Sequence, residues 1–512
     1  MRIPTCLLVV PLFLSTLASA APPAPLGAPS FLPTPDQPVG WRGDGTGRYP
    51  GATPPLEWSI GKDLTGKNVA WVTQLPFHHG GSGASQPIVV GNRIYFTVGA
   101  QQATKGPLDL YCLNLTDGKI LGIASLTPYD AATPEDKKKA ADTVEPMLAE
   151  LRKLNGQLIE TLNAKKLKQD DWRGNVNGKR QDLGAKITDA MIAVDSKYKM
   201  GVDRHDWGYA SATPCSDGTN IYVWFANHTA ACFTLDGKPV WATMESKPLK
   251  GMAEHGCHSS PVLLPDRMVT MYGQTMQAYD KKTGKMLWAQ EVEGCWGLSY
   301  SSPNAIRLQD GYAILAPHGQ GLRGDTGALL WGKFPDYKGE NTTPVVEGHA
   351  LVGFETSGIY ALPLPNSLTA GGKLKASAQV KFPREGGSYQ VASPLVYDGL
   401  VYCVNEKALL RVFNPAGGAG NGSIVYEQQL DLKGEHGWVG APGLSPSPAI
   451  GGKNLYVMDN QGSVAVVQPG RTFKQLAKND NAVKDALVTT PVFSGKHALL
   501  RGQAYIYCLA AP

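Results

Sequence analysis

The side chains in this sequence best suited to chemistry are imidazoles, thiols and indoles. His78 and His205 each stand nine residues before a proline, Pro87 and Pro214, so they fall at matching points of a phrase that recurs along the chain. Asp206 and Trp207 follow directly, Glu254-His255-Gly256-Cys257-His258 packs two imidazoles and a thiol into five residues, and Cys295-Trp296 and Trp438 stand near later copies. Imidazole and thiolate are ligands for zinc or copper. Indoles at the rim of a depression offer stacking surfaces to a planar organic ligand. The candidate ligand-binding residues are therefore His78, His205, Asp206, Trp207, Trp296 and Trp438, and the candidate metal ligands are His78, His205, His255, Cys257 and His258. No second spaced pair of strong ligands accompanies the His255–His258 string, and no catalytic residue is assigned. The sequence has no Gly-x-Ser-x-Gly elbow, Walker loop, His-Glu-x-x-His or Cys-x-x-Cys-His, which removes the chemistries those motifs support. Gly417-Gly418-Ala419-Gly420 reads as a loose turn, because no helix follows to make it a phosphate loop.

The elements that must position these residues form a repeat. A hydroxyl residue at or near the position before proline is followed by aliphatic residues, a glycine turn and a second apolar run. The phrase appears at Ser85-Gln86-Pro87, Thr213-Pro214, Ser260-Pro261, Ser302-Pro303, Thr343-Pro344, Ser393-Pro394, Ser447-Pro448 and Thr490-Pro491. After the first interval of 127 residues, the spacings are 47, 42, 41, 50, 54 and 43. Within a period, two short strands joined by a tight turn lead to a third, then to a turn and a Trp-bearing fourth, most sharply at Ala278-Tyr279-Asp280-Lys281-Lys282-Thr283-Gly284-Lys285-Met286-Leu287-Trp288. Asp and Thr bond the turn amides, Gly supplies positive φ, and Trp fills the gap between neighbouring sheets. Looser copies end at Trp241 and Trp331, while the first has Gly122 where Trp would stand. Four short strands per period is the unit of a β-propeller.

Composition agrees. The chain has 59 Gly and 38 Pro in 512 residues with only 18% charged, against roughly 25% charged in average proteins, which argues against a helical bundle and for an all-β, turn-rich protein. With 42% apolar residues and 11 Trp it can bury a large core. A net charge of +5 over this length makes no basic field for nucleic acid.

Ring closure follows from the two ends. The eighth copy stops after its third strand, at Cys508, and Asp63-Leu64-Thr65-Gly66-Lys67-Asn68-Val69-Ala70-Trp71 is a turn plus Trp strand with no strands before it. Together they complete one sheet and hide both edges. The expected fold is an eight-bladed propeller of four-stranded blades over residues 63–512, closed by this N-terminal strand, with a helical insertion at 128–203 after the first blade. Thr133-Pro134-Glu135-Asp136 starts a helix, Leu148, Leu151, Leu154, Leu158 and Leu162 recur at helical spacing, and Pro146 is expected to kink or restart it. Ile187, Met191 and Val194 mark a second helix. In such a blade the loops between blades and the turns after second strands share one face, the mouth. His78, His79, His205, His228, His255, His258, His318 and His436 fall there, and His349 and His497 on the opposite face.

These motifs resemble the pyrroloquinoline-quinone (PQQ) repeat superfamily of eight-bladed propellers, which includes quinoprotein alcohol dehydrogenases and BamB-like outer-membrane assembly scaffolds. Trp41-Arg42-Gly43-Asp44-Gly45-Thr46-Gly47 also resembles the lead-in of related exported bacterial proteins. The resemblance implies that a dehydrogenase would hold PQQ at the mouth beside calcium, commonly with a disulfide between adjacent cysteines and an Asp base. No two Cys are adjacent here, and no calcium-ligand set carries over residue by residue. The expected function is therefore a non-catalytic binding or assembly scaffold, its partner a protein or a small-molecule or polymer ligand at the mouth. The alternative is a quinoprotein-like oxidoreductase binding PQQ or a divalent metal, with a hydrolase or lyase acting on a polymer as a third class.

Residues 1–20 read as a signal peptide, with Arg2, an apolar run from Leu7 to Leu17 and the small-residue site Ala18-Ser19-Ala20, followed by a Pro/Gly-rich segment over 21–62. A periplasmic or secreted bacterial protein without a transmembrane segment is expected. Seven Cys remain after cleavage, an odd number, so at least one thiol stays free and pairing is not assignable.

Overall fold

The computed structural model describes residues 24, 26–28, 31–34, 36–76, 84–99, 105–168, 174–199, 209–245, 258–293, 300–333, 342–347, 350–355, 358–369, 378–381, 391–417, 423–432, 446–482, 485–487 and 489–511. Alternating apolar runs punctuated by glycine turns make eight four-stranded antiparallel blades, with strands paired in sequence order. Blade 1 comprises Ile88–Val90, Arg93–Val98, Leu108–Asn114 and Ile120–Leu126. Blade 2 comprises Cys215–Ser216, Asn220–Phe225, Thr229–Thr234 and Pro239–Met244, and blade 3 comprises Val262–Leu263, Arg267–Tyr272, Thr275–Asp280 and Met286–Glu291. Blades 4 to 7 begin at Asn304, Val345, Leu395 and Ala449. Blade 8 is composite. Its inner three strands, Val492–Ser494, His497–Arg501 and Tyr505–Ala510, come from the C-terminal end, and its outer strand is Val69–Gln74, with Trp71 opposite Cys508. The expected closure is thus present.

Neighbouring blades are keyed together by tryptophans. A register shift in the outer hairpin sets Trp71 opposite Cys508, Trp241 opposite Cys232 and Trp288 opposite Ala278, a small residue beneath each indole. Each ring lies over a turn glycine of the next blade. A Cβ on Gly118, Gly284 or Gly327 would come within 2.4, 2.4 or 2.6 Å of Trp71, Trp241 or Trp288. The indole N–H groups donate to the carbonyls of Leu115, Lys281 and Gly324 at 2.9, 2.8 and 3.1 Å. The glycines are required twice over, for close approach and for their positive φ of 70–73°.

The insertion forms α1 (Pro134–Asn163) and α2 (Val176–Val194). Thr133 caps α1 by accepting the Asp136 N–H. Of the two outcomes expected at Pro146, a kink or a restart, the restart does not occur: one helix runs through it. Leu151 packs with Val144, Ile187 and Met191 between the helices, while Leu158 and Leu162 join the apolar core that runs through blades 7, 8 and 1. Asn163 exchanges side-chain bonds of 2.8 and 3.0 Å with the backbone of Ile120, so α1 covers the free edge of blade 1. Arg180 of α2, fully buried, pairs with buried Asp109 of blade 1 and also bonds Asn155 and Ser125. Burial raises the Asp109 carboxyl, against the pull of Arg180. Among the described residues no helix is long and apolar enough to cross a membrane. The described cysteines, Cys112, Cys215, Cys232, Cys403 and Cys508, are buried free thiols.

Candidate functional site at the ring axis

The recurrent hydroxyl-proline phrase builds a belt around the axis. In seven of the eight blades the residue before proline donates its backbone N–H to the hydroxyl of the corresponding residue in the next blade. Gln86 donates to Thr213 at 3.0 Å, Thr213 to Ser260 at 3.0 Å, and Ser260 to Ser302 at 2.9 Å. Ser302 donates to Thr343, Thr343 to Ser393 and Ser393 to Ser447, each at 2.9 Å, and Ser447 to Thr490 at 3.1 Å. Gln86 closes the circle, its side-chain amide donating to the Thr490 carbonyl at 3.1 Å. Proline after each donor fixes the first strand's start, and the hydroxyl satisfies an amide that no strand pairing reaches.

The eighth belt position is glutamine because it has a second task. Its side-chain oxygen accepts the backbone N–H of Arg42 at 2.7 Å. The chain enters the axis from the face opposite the mouth, where Gly27 donates to the carbonyl of Asp217 in the first turn of blade 2. It rises along blade 2, where Val39 accepts from Ser216, and turns at Gly40–Gly43. It then descends beside blade 7, with Arg48–Tyr49 parallel to Ile450–Gly451, and leaves at Thr53, which donates to Gly495 in the first turn of blade 8. At the apex Arg42, at φ 48° and fully buried, donates to the carbonyls of Pro394 (2.9 Å) and Pro448 (3.0 Å) in blades 6 and 7. Burial lowers its guanidinium to about 10. Gly47, at φ 77°, cradles it, because a Cβ there would stand 2.6 Å from Arg42 Nη2. Arg48 pairs with Glu347 of blade 5 at 2.9 Å. Residues 39–49 therefore plug the axis, their contacts reaching blades 1, 2, 5, 6 and 7.

A second buried arginine ties blade 8 to blade 1. Arg501 bonds the Ser85 carbonyl and hydroxyl, donates to the Thr97 carbonyl at 2.9 Å and lies 4.5 Å over the Phe96 ring. Burial lowers it to about 9.

Of the residues proposed for the mouth, His78, His205, Asp206, Trp207, His255, Cys257, Trp296 and Trp438 lie outside the described residues. His258 is half-buried beside the Tyr300 ring, centroids 5.5 Å apart. Of the other mouth histidines described, His228 and His318 are both buried. His228 stacks on Tyr272 at 4.0 Å and meets Trp224 edge-on at 5.4 Å, filling the interface of blades 2 and 3. Burial lowers it to about 4, so it is neutral at physiological pH. Among the described residues no three His, Cys, Asp or Glu side chains come together as a metal site. Arg42, Gln86 and Arg501 were not among the candidates. The signal for Gln86 was present, as the one belt copy with an amide in place of the hydroxyl directly before proline; Arg42 sits in a segment without periodicity.

With this geometry established, comparison with known proteins gives three findings. A profile of the family described as "Outer membrane protein assembly factor BamB" matches residues 172–353. No curated protein matches. Solved structures of similar shape include BamB from Moraxella catarrhalis (13% identity, 58% of this chain and 80% of that one, TM-score 0.42). They also include a quinohemoprotein alcohol dehydrogenase from Pseudomonas putida HK5 (10%, 93% and 81%, 0.48) and a europium-containing methanol dehydrogenase (12%, 93% and 99%, 0.49). The profile match and the eight four-stranded blades bear out the resemblance to the PQQ-repeat propeller superfamily.

Proposed function

We propose that the protein is exported to the periplasm or beyond and serves as a non-catalytic binding or assembly scaffold. The observation that carries this reading is the axis. The belt amides are spent on neighbouring blades, and residues 39–49 of the chain itself occupy the space inside the ring. A ring locked in this way is a rigid support, and recognition falls to the loops it presents. The family described for the matching profile is an assembly factor, which agrees with that role. A quinone or divalent metal at the mouth remains the competing assignment, resting on the candidate residues His78, His205, Asp206, Trp207, His255, Cys257, His258, Trp296 and Trp438. Titrating purified mature protein with PQQ and calcium, and separately with zinc, while recording Trp fluorescence, the visible spectrum and dye-linked alcohol oxidation, separates the two. A scaffold shows no saturable quenching and no turnover. Stoichiometric PQQ binding with turnover overturns the proposal.

A further inference from the structure

The interface between blades 1 and 2 lacks the key that its neighbours have. At the position held by Trp71, Trp241 and Trp288, blade 1 carries Gly122, opposite Cys112, and a Cβ there would meet nothing within 4 Å. At blades 6 and 7 the departure from Trp is compensated. Blade 6 has Tyr426 there, against Phe473 of blade 7. Blade 7 has Ala477, where Trp58 of the N-terminal segment stacks on Tyr456 at 6.2 Å. At Gly122 a cavity of about 170 Å³ remains, lined among others by Tyr95, Cys112, Ala124, Leu235 and Gly237, with Arg93 and Asp236 paired across it at 2.6 Å. A cavity of about 150 Å³ admits a benzene ring.

The empty slot also explains a local rearrangement. Leu235 corresponds to Leu115, Lys281 and Gly324, whose carbonyls accept the indole N–H groups. The Leu235 carbonyl instead accepts from the Tyr95 hydroxyl at 2.7 Å and Arg93 at 2.8 Å. Arginine and indole are compatible here, because Arg267 Nη1 and Trp288 Nε1 share the Gly324 carbonyl at 3.2 and 3.1 Å. Tyr95 has therefore taken over the donor role that the missing indole would fill, while the ring's volume stays vacant and Asp236 supplies an acceptor at the rim.

We infer that this inter-blade slot is a binding site for a planar aromatic group with an N–H donor, an indole above all, inserted from the flank of the ring. The occupant takes the place that tryptophan holds at three other interfaces of the same chain, lies over Gly237 as Trp241 lies over Gly284, and meets the Arg93 guanidinium as a cation–π partner. The site lies on the ring's flank, so it holds or fails independently of the mouth.

The test is ¹⁹F NMR of 5-fluoroindole, and of a pentapeptide with central 5-fluorotryptophan, added to the full mature chain. Line broadening that saturates, and that disappears in Gly122→Trp, is expected. Broadening by the peptide as well as free indole identifies a partner's side chain as the source, and broadening by free indole alone a small molecule. Tyr95→Phe, which releases one lone pair of the Leu235 carbonyl, should tighten 5-fluoroindole roughly fivefold relative to its N-methyl derivative, as one recovered hydrogen bond allows. Should Gly122→Trp not fold, Ala124→Leu narrows the same slot and must weaken binding. No broadening with either probe, or broadening unchanged in the slot variants, overturns the inference.

Discussion

Replacing Arg180 by Met isolates the lock between the helical insertion and the ring. The pair is fully desolvated, Arg180 being 0% and Asp109 1% exposed. After the substitution the Asp109 carboxylate keeps one hydrogen bond, from the Ser125 hydroxyl at 2.7 Å, and its second oxygen already lacks a partner. Removing one member of a buried pair costs about 3–5 kcal/mol, because the remaining charge is buried uncompensated. Burial already pushes Asp109 upward and Arg180 is the largest opposing influence, so in the variant the carboxyl rises further and takes up a proton in the folded state. A group whose folded pKa lies above its unfolded value binds extra protons on folding, so the variant recovers part of its deficit as pH falls toward the unfolded value near 4. Arg180→Met with Asp109→Leu removes both charges and should restore most of the loss. The assay is urea denaturation followed by Trp fluorescence at pH 7.5 and 5, with hydrogen exchange at α1 and α2. The same reasoning extends to deleting residues 128–203. The ring alone exposes the edge of blade 1 and strands Asp109, so a Gly-Ser replacement should be rescued by Asp109→Leu. A loss below about 1 kcal/mol in Arg180→Met, or a double variant no better than the single, refutes the argument.

Three further outcomes are expected. Trp71→Ala empties the blade 8–1 interface and strips the Leu115 carbonyl of its donor; a loss of about 3–5 kcal/mol in unfolding free energy is expected, and melting like the parent would show that closure does not depend on this indole. His228 is held near 4 against 6.5 for the free side chain, so the stability it confers is complete above pH 6.5 and declines as pH falls from 6.5 to 4, by about 3 kcal/mol in all; His228→Phe should flatten that part of the pH–stability curve, and an unchanged slope would contradict the assignment. Thr343→Val removes a belt hydroxyl and leaves the Ser302 amide without its acceptor, at an expected cost of about 1–3 kcal/mol read from the urea midpoint, whereas no change would mean that water serves the amide equally well.

The blades were legible because their causes are local. Proline after a hydroxyl, glycine at a turn and tryptophan on a fourth strand each leave a residue type at a fixed spacing, and the chain ends revealed closure because Trp71 had no strands before it and Cys508 no Trp strand after it. The belt was legible as a pattern without its purpose, since Ser260 and Ser302 stand 42 residues apart and meet only in the closed ring. The plug was hidden. Arg42 bonds partners 44, 352 and 406 residues away, and a single pass of irregular backbone has no period to detect. His228 lies in the turn after the second strand of blade 2, as expected, yet its side chain is buried against Tyr272 of the next blade, a contact 44 residues away in sequence that no local pattern marks. The Arg180–Asp109 pair escaped for another reason: a charged residue in a helix reads as solvated surface until something acidic is buried beneath it.

Taken together, plug and closing strand fix the order in which this molecule can become whole. Residues 39–49 need Gln86, Ser216, Pro394 and Pro448 in place around them, and Val69–Gln74 needs Tyr505–Ala510. Both N-terminal pieces therefore wait for blades made last, and the contacts they form span most of the chain, which makes them slow to form on loop-closure grounds. Until then Trp71, Trp58 and Ile60 have no core to enter, although all three are buried at the end. The segment from Val39 to Gln74 therefore stays open until the C-terminal strands exist. Arg42 then acts as the final check on assembly, because its guanidinium reaches the Pro394 and Pro448 carbonyls, and its backbone N–H reaches Gln86, only when blades 1, 6 and 7 have converged on the axis.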